Sequence, residues 1–239
     1  ADFLFAKVMS DPDICKDFLE ELLEFEIERI EIIETQKTIE LNTESKGVRL
    51  DIYVKDENKT VYNVEMQRED QKNLAKRMRY YQGSIDLDLI SKGEDYRKLA
   101  KSFVIFVCTF DYLKAGRHKY TFKTVCEQDE SIQLVDDTHR IILNTKGVIK
   151  DLSNELLEFL DYVEHSDDET AANTKGTLVK KIHKKVIEVK NNEKLEVEYL
   201  KLLERYREER EEGRIDGVIE GRIEGRIEGK EEKAIEVAI

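Results

Sequence analysis

Two acids stand fourteen residues apart in segments that read as neighbouring strands. Asp51 lies in Val48-Arg49-Leu50-Asp51-Ile52-Tyr53-Val54, and Glu65 in Val61-Tyr62-Asn63-Val64-Glu65-Met66-Gln67. Alternation assigns Val48, Leu50, Ile52 and Val54 to one buried face of the first strand. It puts Tyr62, Val64 and Met66 on one side of the second, with Asn63, Glu65 and Gln67 on the other. Asp56-Glu57-Asn58-Lys59-Thr60 between them is a polar segment suited to a hairpin loop. If that loop holds an odd number of residues centred on Asn58, Asp51 falls opposite Glu65 and Tyr53 opposite Asn63. Directly opposed Cβ atoms are about 5 Å apart, close enough for two carboxylates to share one divalent cation. A slip of one residue would separate the acids onto opposite faces. Two hard oxygen ligands that leave most of the coordination shell to water and phosphate describe a Mg²⁺ site. Such a cation activates water and neutralises charge developing on a scissile phosphate. The competing reading is a polar strand face on which both acids are merely solvated. Repulsion between opposed like charges favours a cation or a raised carboxyl pKa.

The framework around this pair is legible in outline. Residues 11–33 read as a helix, with Asp11 as N-cap, Pro12 at the first helical position and an apolar stripe of Ile14, Phe18, Leu22 and Phe25. A helix over 69–89 carries Lys72, Lys76, Arg77 and Arg79. From Lys72 to Arg79 there is no acid, a run that by itself describes a solvated helix face. Gly93 and Asp95 mark a turn before a short helix. Phe103-Val104-Ile105-Phe106-Val107-Cys108 has the continuous apolar character of a strand buried on both faces. Residues 120–125 and 140–143 are further strand candidates. From Ser153 the pattern is helical, with Asp167-Asp168-Glu169-Thr170 as an acidic loop between helices. The last segment repeats glycine every fourth residue from Gly213 to Gly229. Each glycine costs about 1 kcal/mol of helix propensity, and the repeat stacks like charges at i,i+4. This tail reads as a partner-dependent helix or a flexible extension.

Composition narrows the classes. The 239 residues are 39% charged with a net charge of −13, which at face value opposes the basic surface that nucleic acid requires. By region the balance is −8 over 1–40, +3 over 41–150 and −8 over 151–239. An acidic chain with a basic middle is expected to hold DNA weakly, on one face, and with strong salt sensitivity. No apolar run approaches the ~18 residues of a membrane span. Cys15, Cys108 and Cys126 are too few and too dispersed for a disulfide framework, so a cytoplasmic location is expected and Cys108 reads as an inert core thiol. His118, His139, His165 and His183 are scattered, which disfavours zinc. No nucleophile elbow, P-loop or dinucleotide fingerprint sits in the required context. Lys180-Lys181 and Lys184-Lys185 read as a solvated helix face rather than a second DNA contact.

Asp51 followed by Glu65-Met66-Gln67 resembles the D…(D/E)XK signature of the PD-(D/E)XK nuclease superfamily, with Gln in place of Lys. Several segments together resemble the Rpn family of recombination-promoting nucleases, also labelled transposases of that type. They are Asp2-Phe3-Leu4-Phe5, Val48-Arg49-Leu50-Asp51-Ile52, Asn63-Val64-Glu65-Met66-Gln67, Arg77…Tyr80-Tyr81 and Asp86-Leu87-Asp88-Leu89…Gly93-Glu94-Asp95-Tyr96. The resemblance implies an α/β, restriction-endonuclease-like mixed sheet flanked by helices. A C-terminal helical region and the charged glycine-repeat tail follow it. The boundaries expected are 1–150 for the core, 151–212 for the helical region and 213–239 for the tail. The implied activity is Mg²⁺-dependent DNA endonuclease, with Mn²⁺ as a substitute and double-stranded DNA as partner. By position Asp51, Glu65 and Gln67 are the catalytic set and Asp51 and Glu65 the metal ligands. Asp2 either adds an acid to the site or is an N-cap. Lys72, Lys76, Arg77 and Tyr81 are the implied DNA contacts. Glutamine can only orient water or a phosphate oxygen by hydrogen bonds, whereas lysine brings a full charge. The alternative is a nuclease-fold DNA-binding or self-associating module with little activity. Self-association would run through the C-terminal helices and tail.

Overall fold

The computed structural model describes residues 2–40, 47–195 and scattered positions from 197 to 214. The glycine-spaced tail from Gly217 onward lies outside the described residues, as does Gly213. The chain divides into two compact units, Ala1–Val189 and Lys190–Ile239, and the candidate site belongs to the first.

Two helices open the first unit, α1 (Asp2–Met9) and α2 (Pro12–Leu23). Asp11 caps α2 as expected, its carboxylate accepting from the Asp13 and Ile14 N–H groups. The helix stops at Leu23 because Glu24 turns left-handed. Residues 30–33, read above as helix, instead begin strand β1 (Ile30–Ile39). Strands β2 (Val48–Asp56) and β3 (Val61–Gln67) form the hairpin, and α3 (Leu74–Leu89) follows. Then come a 3-10 turn at Tyr96–Lys98 and strand β4 (Ser102–Cys108), buried at every position. Strands β5 (Lys119–Phe122) and β8 (Thr138–Asn144) flank a small ribbon of β6 (Val125–Cys126) and β7 (Asp129–Gln133). Helices α4 (Asn154–Glu164), α5 (Asp168–Asn173) and α6 (Leu178–Lys190) complete the unit. The expected acidic loop at 167–170 is thus the start of α5, with Asp167 as its N-cap.

The six-stranded sheet has the order β1-β2-β3-β4-β8-β5. Its centre, β3-β4-β8, is parallel; β1-β2, β2-β3 and β8-β5 are antiparallel. This is a restriction-endonuclease-like mixed sheet flanked by helices. One face packs Ile52, Val54, Tyr62, Val64, Ile105 and Leu143 against residues of α1, α2, α4, α5 and α6. The other packs Val61, Val104, Phe106 and Ile142 with Leu74, Met78 and Ile85 of α3. Helices α4, α5 and α6 therefore share the core of the sheet, and lysines of α6 reach back to α2 and its cap: Lys181 pairs with Asp17 and Lys185 with Asp11. No described helix is long and apolar enough to cross a membrane.

The hairpin register is set by a compact turn. Asp56 accepts from the N–H groups of Asn58 and Thr60 and from the Tyr62 hydroxyl, while Lys59 takes a left-handed φ of 65°. That is the geometry of a three-residue loop closed by a left-handed residue. It pairs Tyr53 with Asn63 and Ile52 with Val64, the register in which Asp51 meets Glu65.

The alternation of β2 differs from the simple expectation. Val48 and Leu50 face α3, whereas Ile52 and Val54 face the opposite core, so the strand reverses its faces around Asp51. Strand β1 does the same: Ile33 packs against one core and Ile39 lies in the other, although both are odd-numbered. Between them Gln36 has φ +56°.

Candidate active site

The site lies where β2 and β3 part company. Their paired positions run no further than Ile52↔Val64. One step beyond, the two acids take over the hydrogen bonding themselves. The Asp51 N–H donates to Glu65 Oε1 at 2.9 Å, and the Met66 N–H donates to Asp51 Oδ2 at 3.2 Å. On the far side Gln36 Nε2 donates to Asp51 Oδ1 at 3.3 Å. Each carboxylate is thereby tied to the backbone of the strand that carries the other. Side chains held in this way are preorganised.

Burial makes the pair costly. Glu65 is 2% exposed, and its carboxyl pKa is raised well above the ordinary 4.5, first by desolvation and then by the Asp51 charge. The Asp51 N–H and the Arg77 guanidinium, 4.0 Å from Glu65 Oε2, work in the opposite direction. Asn63, two residues before Glu65 on the same strand, is fully buried, and its side chain also acts to lower the Glu65 carboxyl. A buried carboxyl raised by desolvation and by a second acid beside it describes a site short of positive charge.

Gln67 ends β3, and its amide is engaged at both ends. Its Nε2 donates to the Glu69 carbonyl at 2.6 Å, and its Oε1 accepts from Arg77. Arg77 is half-buried. Its second nitrogen donates to the Tyr81 hydroxyl at 3.0 Å, and the guanidinium lies 5.3 Å from the Phe106 ring and 5.4 Å from that of Tyr81. The i,i+4 spacing on α3 brings Arg77 and Tyr81 together as the helix geometry requires. Burial, followed by the Glu65 charge, raises the Tyr81 pKa, so its hydroxyl keeps its proton. The structure therefore gathers Asp51, Glu65, Gln67, Arg77 and Tyr81 in one constellation.

The other sequence-derived candidates are the residues of the basic run and Asp2. Helix α3 begins at Leu74, not at 69, because the preceding residues form a turn. Lys72 has φ +58°, its N–H is bonded to Asp70 Oδ1, and its ammonium pairs with the Asp70 carboxylate. Lys76 and Arg79 are exposed on α3. Asp2 is the first residue of α1, and its side chain lies outside the described residues. Cys108 is buried, with its thiol pushed up to about 12 by desolvation. Sequence reasoning missed Gln36: glutamine has no preference for left-handed backbone, so nothing marked its position. Asn63 was visible within the strand motif but carried no assigned role.

The donor set suits a hard divalent cation. Asp51 and Glu65 offer carboxylate oxygens and no soft ligand, and a cation would relieve the raised Glu65 carboxyl. Among the described residues no group of three or more His, Cys, Asp or Glu side chains is placed to hold a metal ion. Two carboxylates leave most of the coordination shell of a hard divalent cation to other oxygens. Comparison with known proteins agrees with this architecture. Residues 1–214 match the family described as PD-(D/E)XK nuclease family transposase. No curated protein matches the chain. Because the matched stretch takes in the whole sheet, the hairpin with both acids and the helix bearing Arg77, the chain belongs to the PD-(D/E)XK nuclease transposase family.

Proposed function

We propose that the protein is a Mg²⁺-dependent DNA endonuclease whose site is built on Asp51 and Glu65. The observation that carries this reading is the interlocked carboxylate pair. Two acids are held beside each other by reciprocal backbone hydrogen bonds, and one of them is buried with a raised pKa. Folding tolerates such repulsion where function uses it. Asp51 and Glu65 would hold the cation. When bound, it supplies charge neutralisation at a phosphodiester and makes water easier to deprotonate.

The chain's own residues supply the rest. Arg77 provides the positive charge that Gln67 lacks, and Gln67 holds the guanidinium through its Oε1. The Tyr81 hydroxyl accepts from Arg77, so its own proton is available for a phosphate oxygen. Gln67 is in this reading a holder of Arg77 and not a general base. Lys76, exposed one residue before Arg77, adds a nonspecific phosphate contact. Lys72 adds less, because its ammonium is already paired with Asp70.

Supercoiled plasmid incubated with the protein in Mg²⁺ and in EDTA tests the proposal. Nicking in Mg²⁺ alone, lost in Asp51→Ala, is expected. A folded wild type that binds plasmid but nicks it under neither condition would favour the DNA-binding module instead.

A further inference from the structure

Six non-glycine residues among those described have positive φ. Five occupy places where such backbone is usual: Glu24 caps a helix, Lys59 closes the hairpin, and Lys72, Lys114 and Asp137 lie in turns or loops. Gln36 lies inside a strand. Left-handed backbone is unfavourable for a side chain of this kind and persists only where its surroundings demand it. Its position in the ladder is specific. Thr35 pairs with Ile52 and Lys37 with Leu50, which leaves Gln36 facing Asp51. Both strands reverse their faces at this point, and the Gln36 amide donates to Asp51 Oδ1.

We infer that Gln36 is a positioning residue that holds Asp51 in its ligating orientation, an inference that rests on the cation-site reading above. Each oxygen of Asp51 then has an assigned donor: Oδ2 the Met66 N–H and Oδ1 the Gln36 amide. Two neutral donors from the two flanking strands fix the plane of the carboxylate. Neither of these two donors neutralises its charge. A cationic donor in the same place would compete with the cation for that charge. The face reversal is what allows the contact, because it turns both residues of the Gln36–Asp51 pair toward each other at the sheet edge of the site. Polar groups that orient a metal ligand are worth about 10- to 100-fold in metal affinity.

Titration calorimetry with Mn²⁺ alone, on the full chain, reads this directly. Gln36→Ala keeps the left-handed strain and loses the amide; Gln36→Gly relieves the strain and loses the amide. Both are expected to weaken Mn²⁺ binding by about tenfold or more, while Gln36→Gly melts in EDTA no lower than Gln36→Ala. If Gln36→Ala fails to fold, Gln36→Gly still provides the reading. Wild-type affinity in Gln36→Gly would overturn the inference, since only the backbone would then matter. Asp51→Ala is the control for the underlying site. Loss of binding in Asp51→Ala alone would sink the role of Gln36 and leave the cation site standing. A wild type that takes up no Mn²⁺ would remove both.

Discussion

Glu65→Gln removes one of two facing charges while keeping the shape of the side chain and an acceptor for the Asp51 N–H. Carboxyl groups on directly opposed residues about 5 Å apart repel by about 3 kcal/mol at an effective dielectric of about 20. At the same dielectric the Arg77 guanidinium, 4.0 Å from Glu65 Oε2, offsets this repulsion, so the gain on removing the charge comes from relief of the desolvation penalty, the largest cause of the raised carboxyl. The variant is therefore expected to be more stable than wild type without metal by about 1–2 kcal/mol. For a chain of this size that is a rise of about 2–8 °C in Tm. The pH dependence has a definite sign. Burial and Asp51 raise the Glu65 carboxyl, so above the ordinary 4.5 the folded protein retains a proton that the unfolded chain has released. Wild-type stability consequently falls as pH rises from that value through the raised one, and the variant escapes the loss. Its advantage is absent near pH 4, grows with pH and then levels off. Mg²⁺ at ten times its Kd returns about 1.4 kcal/mol to wild type and far less to the variant. Thermal unfolding across pH, in EDTA and in Mg²⁺, checks each part. A Glu65→Gln protein that is less stable than wild type at pH 8 in EDTA, or equally responsive to Mg²⁺, would refute the reasoning.

Three further expectations follow from the same geometry. Arg77→Ala should lower plasmid nicking at least tenfold, and adding Gln67→Lys to it should recover part of the loss by restoring a charge; no recovery would count against Arg77 as the substitute for lysine. Asp56→Ala removes two backbone bonds and one side-chain bond from the hairpin turn, so urea denaturation should show a loss of about 2–4 kcal/mol, with nicking reduced because the register of the acids loosens. In a binding titration over a salt series, Lys76→Ala should reduce the log–log slope by about 1, and Lys72→Ala by clearly less because of its Asp70 partner. Equal slopes for the two variants would remove the basis for ranking these lysines.

The proximity of Asp51 and Glu65 was legible in the sequence because it depends on a short-range quantity, the length of the Asp56–Thr60 turn. A three-residue loop there leaves one register, and that register brings Asp51 to Glu65. What escaped notice has physical causes. β1 was hidden because its alternation is broken twice, by a register shift between Ile30 and Ile32 and by the left-handed Gln36. The face reversal at Asp51 misassigned Val48 and Leu50, since a period of two carries no sign of a change in phase. The turn at Asp70–Lys72 shortened α3 because side-chain bonds to backbone compete with helix. The ribbon of β6 and β7 is exposed almost throughout, so burial left no pattern to read.

One cation shared by Asp51 and Glu65 is the centre of the proposed site. An anomalous difference map from crystals grown in Mn²⁺ tests it most directly. The prediction is a single strong peak within bonding distance of an oxygen from each carboxylate, lost in Asp51→Ala. A map empty between these two side chains, obtained from protein that nicks plasmid in the same Mn²⁺ solution, would contradict it.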